Sequence, residues 1–363
     1  MLAGFIHPSR WPGLLAGLLL VLLLTPLAAQ AADISRTKPL PPGIHLPITV
    51  HLSSRILNIS RIEETKSEIS ALVEHTLTWR DPTQAFDPLT EGTYRRDYYA
   101  AAAADILSSM WSPDVTIANQ ITEARSQTLA LSVTSDGEVS MIRQTDADFR
   151  IVVNLAAFPF DRQKLDFVFT APRYPANQVI LSIEDRDRAL SSISDTLSAS
   201  DWHPKGLGFS LDQFYGWNAK PFVRATVTAT VSRAWPRYLL RIFIPFAAVI
   251  SVSLFILWAP DRLRVDQGGI IYSALLALAA LSFTFESSFP GSMSVNSPIA
   301  FMISLGYFYL VLTLLVHLTL LYGNFPAQRR HHFLLREIRA NIRFALPAIF
   351  ALICACSVIR SMA

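Results

Sequence analysis

The chain has 363 residues, of which 51% are hydrophobic and 16% charged, with a formal net charge of +3. That balance is too apolar for an ordinary soluble domain, and the scattered charge before residue 233 argues against nucleic acid as a partner. Both cysteines, Cys354 and Cys356, lie near the C-terminus, so the rest of the chain has no disulfide to form. Two cysteines two apart on a helix point in different directions, which suits bulk better than a metal site.

At the N-terminus, Arg10 precedes the apolar run Leu14 to Leu24, followed by Pro26 and the small-residue site Ala29-Gln30-Ala31. A basic start, a short apolar core and such a site predict a secretory signal peptide over residues 1–31. The competing reading is a first membrane anchor, for which the run is short.

Residues 32–233 read as an exported domain of short strands. "ITVHLSSRILNIS", "SEISALVEHTLTW", "TLALSVTSDGEVSMI", "FRIVVNLAAF", "KLDFVFTAP", "NQVILSIED" and "FVRATVTATVSR" place apolar or β-branched residues at alternate positions. Strands without intervening helices predict an all-β, immunoglobulin-like sandwich. Two stretches break the pattern: Tyr98 to Trp111, whose alanines predict a helical turn or two, and the polar Glu184 to Asp201, expected as a mobile loop.

From residue 234 the pattern changes to four apolar stretches, expected as membrane helices at about 236–259, 266–287, 297–323 and 340–360. With the preceding domain exported, Arg262 and Arg264 fall on the cytoplasmic side, and so does the basic Gln328 to Arg339. The fold class is therefore a β-sandwich followed by a four-helix transmembrane bundle. The second helix carries a stripe at alternating steps of three and four: Asp266, Gly269, Ser273, Leu276, Ala280, Phe283 and Ser287. Polar residues in a membrane helix face a bundle interior or water. One reading of Gly269, Ser273 and Ala280 is tight helix packing; the other, favoured by the terminal acid and hydroxyl, is a pore lined by several copies. Rings of Leu276 and Phe283 would then exclude water, and a ring of Asp266 would attract inorganic cations.

A sandwich followed by four helices with a pore-like second helix resembles the pentameric ligand-gated ion channels, the Cys-loop receptor superfamily. Trp79 to Asp81 is similar to that family's W-x-D, and "MWSPDVTIAN" to its W-x-P-D…N segment. "FPFDRQKL" (Phe158 to Leu165) is similar to the heart of the Cys-loop, while Arg233, Tyr238 and Pro245 stand at the spacing of the first helix. The loop's two cysteines would fall at about Ile151 and Leu165, so its length is kept and its disulfide lost, as in many bacterial members.

The resemblance implies a homopentamer in membrane lipid, on the bacterial inner membrane with its N-terminal domain periplasmic. It implies a small-molecule agonist, permeant cations and no cofactor. Phe158, Pro159 and Phe160 would press on the loop between helices two and three, which holds Pro290, and transmit gating. Asp161 would be held by Arg233, with Glu64 completing the charge cluster; the plainer reading is a surface ion pair of little consequence. The family's agonist site lies between subunits under a hairpin, here offering Phe214, Tyr215, Trp217 and Phe222. Pro172 stands near the position where the family usually places an aromatic, with Arg173 and Tyr174 following, so a cage for a cationic amine is incomplete. Trp202 reads as either core or site.

A non-conducting, membrane-anchored periplasmic sensor is the alternative, though it has no need of the polar stripe. No G-x-S-x-G or H-E-x-x-H spacing suggests an enzyme.

Overall fold

The computed structural model describes residues 38–258, 267–289, 297–322 and 332–362. The expected leader, Asp266, Pro290, Arg262 and Arg264 lie outside the described residues.

Among the described residues, eleven strands build two sheets. They are β1 (Ile48–Glu63), β2 (Glu68–Arg80), β3 (Arg95–Tyr99), β4 (Thr116–Ile117), β5 (Ser126–Thr134) and β6 (Glu138–Arg150), followed by β7 (Arg162–Thr170), β8 (Val179–Ser182), β9 (Ser192–Ile193), β10 (Trp202–Tyr215) and β11 (Pro221–Arg233). The first sheet runs β3-β5-β6-β2-β1-β8, with β9 also beside β1, and the second runs β10-β11-β7-β4. All pairs are antiparallel except β1 with β8 and with β9.

The strands close on one another because every second side chain is apolar and points inward. Leu52, Ile56 and Ile59 of β1 and Val73 and Leu77 of β2 share one core with Leu165, Phe167 and Phe169 of β7 and Val227 and Val231 of β11. Fully burying each such side chain stabilises the fold by about 1.5–3 kcal/mol. Ile151 and Leu165, at the family's cysteine positions, belong to this core, so packing holds the base of the loop where a disulfide would.

Motif residues tie the sheets together. Asn119 donates to the carbonyls of Arg150 (2.8 Å) and Asp166 (2.7 Å) and accepts from the Val168 N–H (3.0 Å), joining β6 to β7. The Asp81 N–H donates to the Gly137 carbonyl at 2.8 Å in the β5–β6 turn. Gly137 has φ +83°, and a Cβ there would lie 2.6 Å from the Asp81 carbonyl oxygen, so only glycine fits.

Several expectations need correction. Residues 151–158 are not strand: past Arg150 the ladder ends, and the Gln163 side chain takes over, accepting from the Asn154 N–H at 3.0 Å and donating to its carbonyl at 2.7 Å. β3 and β10 escaped notice because half-exposed edge strands, one with Pro204, Gly206 and Gly208, carry no clean alternation. The Glu184 to Asp201 stretch is ordered rather than a plain loop. It contains helix Asp185–Leu190, started by a reciprocal capping box of Glu184 and Asp187, and then β9. The alanine run forms a ten-residue helix, Ala100–Ser109.

The described residues of the C-terminal part form four helices, α1 (Pro236–Trp258), α2 (Gln267–Ser288), α3 (Pro298–Tyr322) and α4 (His332–Met362). Each contains a stretch long and apolar enough to cross a bilayer. The fourth helix starts at His332, so the basic segment expected as a loop is helical over much of its length. The bundle core is Tyr238, Ile242, Phe246 and Ile250 of α1, Ala274, Leu278 and Phe285 of α2, Ile303, Tyr309 and Leu310 of α3, and Cys354 of α4.

Candidate functional site

The end of β11 carries an arginine at an inward-facing position. Ala225, Val227, Ala229 and Val231 point into the core, and Arg233 continues the same alternation. A guanidinium there must find partners, since an unpaired buried charge is prohibitive. Its Nε and Nη2 donate to the two Asp161 carboxylate oxygens at 2.7 and 3.1 Å. Nη1 lies 2.9 Å from Glu64 Oε1 and 3.1 Å from the Tyr238 hydroxyl, to which it donates. Aromatic faces close the remaining sides: the guanidinium carbon is 4.2 Å from the Trp202 ring and 4.8 Å from that of Phe158.

Burial alone would lower the Arg233 pKa, but the hydrogen bond and charge of Asp161 outweigh it and raise it. The pair is buried on both sides, so the surface-ion-pair reading fails. Removing one member would strand its partner's charge. Gln163 fixes the acid, donating from Nε2 to Asp161 Oδ2 at 2.6 Å.

The loop aromatics reach from this cluster to the membrane helices. Phe158 packs on Tyr238 (ring centroids 5.5 Å apart) at the start of α1 and on Phe289 (4.9 Å) just after α2. Phe160 packs on Trp235 (5.6 Å) and Phe243 (6.3 Å). Pro159, whose peptide with Phe158 is cis, stands between them. Five chain segments thus converge: the β1–β2 turn, the loop, the end of β11, the start of α1 and the end of α2. Gln163 and Phe289 were missed from the sequence. A polar residue at an inward position of an alternating strand was the available signal for Gln163; Phe289 had none.

On α2 the face buried in the bundle is Ile271, Ala274, Leu278 and Phe285. The described members of the striped face lie on the opposite side. Leu276 is 73% exposed and Phe283 74%, with Ser273, Ala280 and Ser287 also exposed and Gly269 partly so. The Ser273 hydroxyl donates to the Gly269 carbonyl (2.9 Å) and that of Ser287 to Thr284 (3.0 Å). Their protons are committed to the helix, which leaves oxygen lone pairs facing outward. Glu286, another residue missed from the sequence, is exposed near the C-terminal end of the same helix.

The hairpin residues divide. Tyr215 is 81% exposed and Trp217 67%, the latter donating from Nε1 to the Pro172 carbonyl at 3.5 Å. Phe222 is buried and lies under the turn, its ring 5.9 Å from Phe214. Tyr174 is buried against Trp111 at 5.6 Å. Arg173 is occupied by Asp114 at 2.8 Å. The structure brings Pro172 and Trp217 together, leaves Tyr215 exposed on the hairpin, and turns Tyr174 and Phe222 into the interior.

Residues 35–234, more than half of the chain, match the family described as neurotransmitter-gated ion-channel ligand binding domain. The chain belongs to the pentameric ligand-gated ion channels. It is 22% identical over 333 residues to a proton-gated ion channel of Gloeobacter violaceus, covering 86% of this chain and 83% of that one. It is 24% identical over 257 residues to the neuronal acetylcholine receptor subunit alpha-9 of Rattus norvegicus and to that of Homo sapiens, covering 68% of this chain. The chain spans half the length of those two receptor subunits. Channels of this family are gated by small molecules and are not enzymes. The four apolar helices make this member a multi-pass membrane protein.

Proposed function

We propose that five copies of this chain form a cation channel of a bacterial inner membrane, opened by a small molecule bound between their periplasmic domains. The observation that carries this reading is the geometry of α2. Its bundle-facing side is wholly apolar, while the opposite side alternates small or hydroxylated residues with Leu276 and Phe283. Placed around a common axis, five such faces make a water-bearing path with two apolar constrictions. Outward lone pairs of Ser273 and Ser287, with carboxylates of Asp266 and Glu286 towards the two mouths, favour cations over anions.

Agonist binding moves the sandwich, and the Glu64–Asp161–Arg233 cluster carries that motion through Phe158 and Phe160 to α1 and to the end of α2. The exposed hairpin surface of Pro172, Tyr215 and Trp217 is the site for the agonist. Similarity to a channel named for gating by protons makes external pH the first agonist to try.

The test is conductance in planar bilayers under a potassium chloride gradient. Leu276→Ser and Phe283→Ser each wet a constriction, and each gives a standing current without agonist that reverses near the potassium equilibrium potential. Reversal at the chloride potential would overturn cation selectivity, and assembled protein silent in both variants would overturn the pore.

A further inference from the structure

Pro347 sits in the middle of α4. Having no N–H, it leaves the carbonyl four residues earlier, that of Arg343, without its intrahelical donor. A proline in a membrane helix is tolerated when a neighbour satisfies the freed group. Here the neighbour is Trp258, the last described residue of α1. Its Nε1–H donates to the Arg343 carbonyl at 3.0 Å, and its ring packs on Phe344 with centroids 5.0 Å apart.

The ordinary role of a tryptophan near a membrane boundary is an anchor whose N–H meets headgroups. Trp258 is 54% exposed, so its ring does lie at the margin of the bundle, yet its N–H is spent on backbone. Further along α4, Phe350 packs on α1 and α3 through apolar ring contacts, its centroid 4.5 Å from that of Tyr309 and 6.3 Å from that of Phe246. The outward residues Ile349, Leu352, Ile353 and Ile359 are exposed. Such contacts permit sliding, whereas a hydrogen bond to one carbonyl fixes a register.

We infer that Pro347 and Trp258 form a two-part latch: the proline creates an acceptor on α4, and the indole reads it and docks that helix against the inner end of α1. α1 carries Tyr238, at the charge cluster, near its start and Trp258 at its last described residue, shortly before the striped helix in sequence. A latched inner end therefore gives α1 a fixed point to turn about when the outer end is pushed. That consequence rests on the channel reading above; the latch itself does not.

A double-mutant cycle tests it on the full-length protein in phosphatidylcholine nanodiscs, read by hydrogen exchange of α4 amides. Trp258→Phe keeps an aromatic ring against Phe344 and removes the donor, and exchange around residues 340–350 accelerates about tenfold. Pro347→Ala restores the intrahelical donor, and in that background Trp258→Phe changes exchange less than about twofold. Equal acceleration in both backgrounds would mean that the ring acts through packing alone, and no change in either would mean that the bond holds nothing; both overturn the latch. If Trp258→Phe fails to assemble, the isosteric benzothienyl side chain at position 258, with sulfur replacing N–H, makes the same comparison. Standing current in the Leu276→Ser background is read separately. Faster exchange with unaltered current leaves the latch in place and removes its link to opening.

Discussion

The sandwich and the helical bundle are built largely from apolar residues and use them in opposite ways. In the sandwich an apolar side chain at an alternate position is an inside one, as Leu52, Val73 and Phe167 show. In the bundle Leu276, Phe283 and Phe344 are exposed while Ser253 and Thr313 are fully buried. Water drives the first arrangement by expelling apolar surface. Lipid tails give no such drive, so helices associate through close packing and hydroxyl bonds. Arg233 lies where the two regimes meet: it occupies the last inward position of β11, and its partners come from both sides.

The largest effect that sharpens this contrast comes from one substitution made in both regions. Leu52→Ala removes a fully buried side chain and costs about 2–5 kcal/mol, with the spread set by how far the cavity collapses. Leu276→Ala, on an exposed helix face, changes stability by less than about 0.5 kcal/mol. Thermal unfolding of the assembled protein measures both. Comparable losses would show that the Leu276 face packs against another surface as tightly as a core.

The same contrast explains what could be read in advance. β1, β2, β7 and β11 were legible because water on one side and core on the other impose a period of two. The junction was legible through "FPFD" and Arg233, whose residue types make poor sense on a simple turn or an inward strand position. β3 and β10 were not, since edge strands lose the period. Phe289 gave no sign of its role, because one phenylalanine among many marks no partner. In the helices hydropathy located the segments but not their facing sides; only the small and hydroxylated residues of α2 singled out a face. Trp258 and Pro347 are far apart in sequence, and neither alone suggests the bond between their helices.

A smaller effect follows from a histidine placed as if it were apolar. His75 lies in the sandwich core beside the Phe169 ring (5.4 Å), opposite Ser54 of β1 and Arg143 of β6, with no hydrogen-bond partner for either ring nitrogen among the described residues. Burial, helped by the Arg143 charge, lowers its pKa from 6.5 to about 3. The unfolded chain binds that proton near pH 6.5 and the folded chain only near pH 3, so between them the unfolded state holds one proton more. Stability is therefore full above pH 6.5 and falls by about 1.4 kcal/mol per unit as acid is added through this window. His75→Phe should remove that slope, leaving the sandwich less sensitive between pH 6 and pH 4 by about 2–3 kcal/mol. Parallel unfolding curves for the two proteins over that range would show that the imidazole is hydrated in solution.

The smallest effect asks whether hydrogen bonds also differ between the regions. Ser253 Oγ and Tyr309 OH lie 3.0 Å apart inside the bundle, joining α1 to α3. Thr78 Oγ1 and Ser140 Oγ lie 3.2 Å apart between β2 and β6. A low dielectric strengthens the first bond in isolation. The separated helices remain in lipid, however, where the Ser253 hydroxyl finds its own backbone, since it already donates to the Ile250 carbonyl at 2.6 Å. The reference state thus recovers much of what the bond supplies, and coupling between Ser253→Ala and Tyr309→Phe should be about 0.6 kcal/mol. Thr78→Val with Ser140→Ala should give a similar value, within about 0.5 kcal/mol, because water compensates there as the backbone does in the bundle. A Ser253–Tyr309 coupling above about 2 kcal/mol would exceed the range seen for such pairs in membranes. It would mean that undocked α1 and α3 leave these hydroxyls unsatisfied, and that polar bonds hold the bundle as apolar burial holds the sandwich.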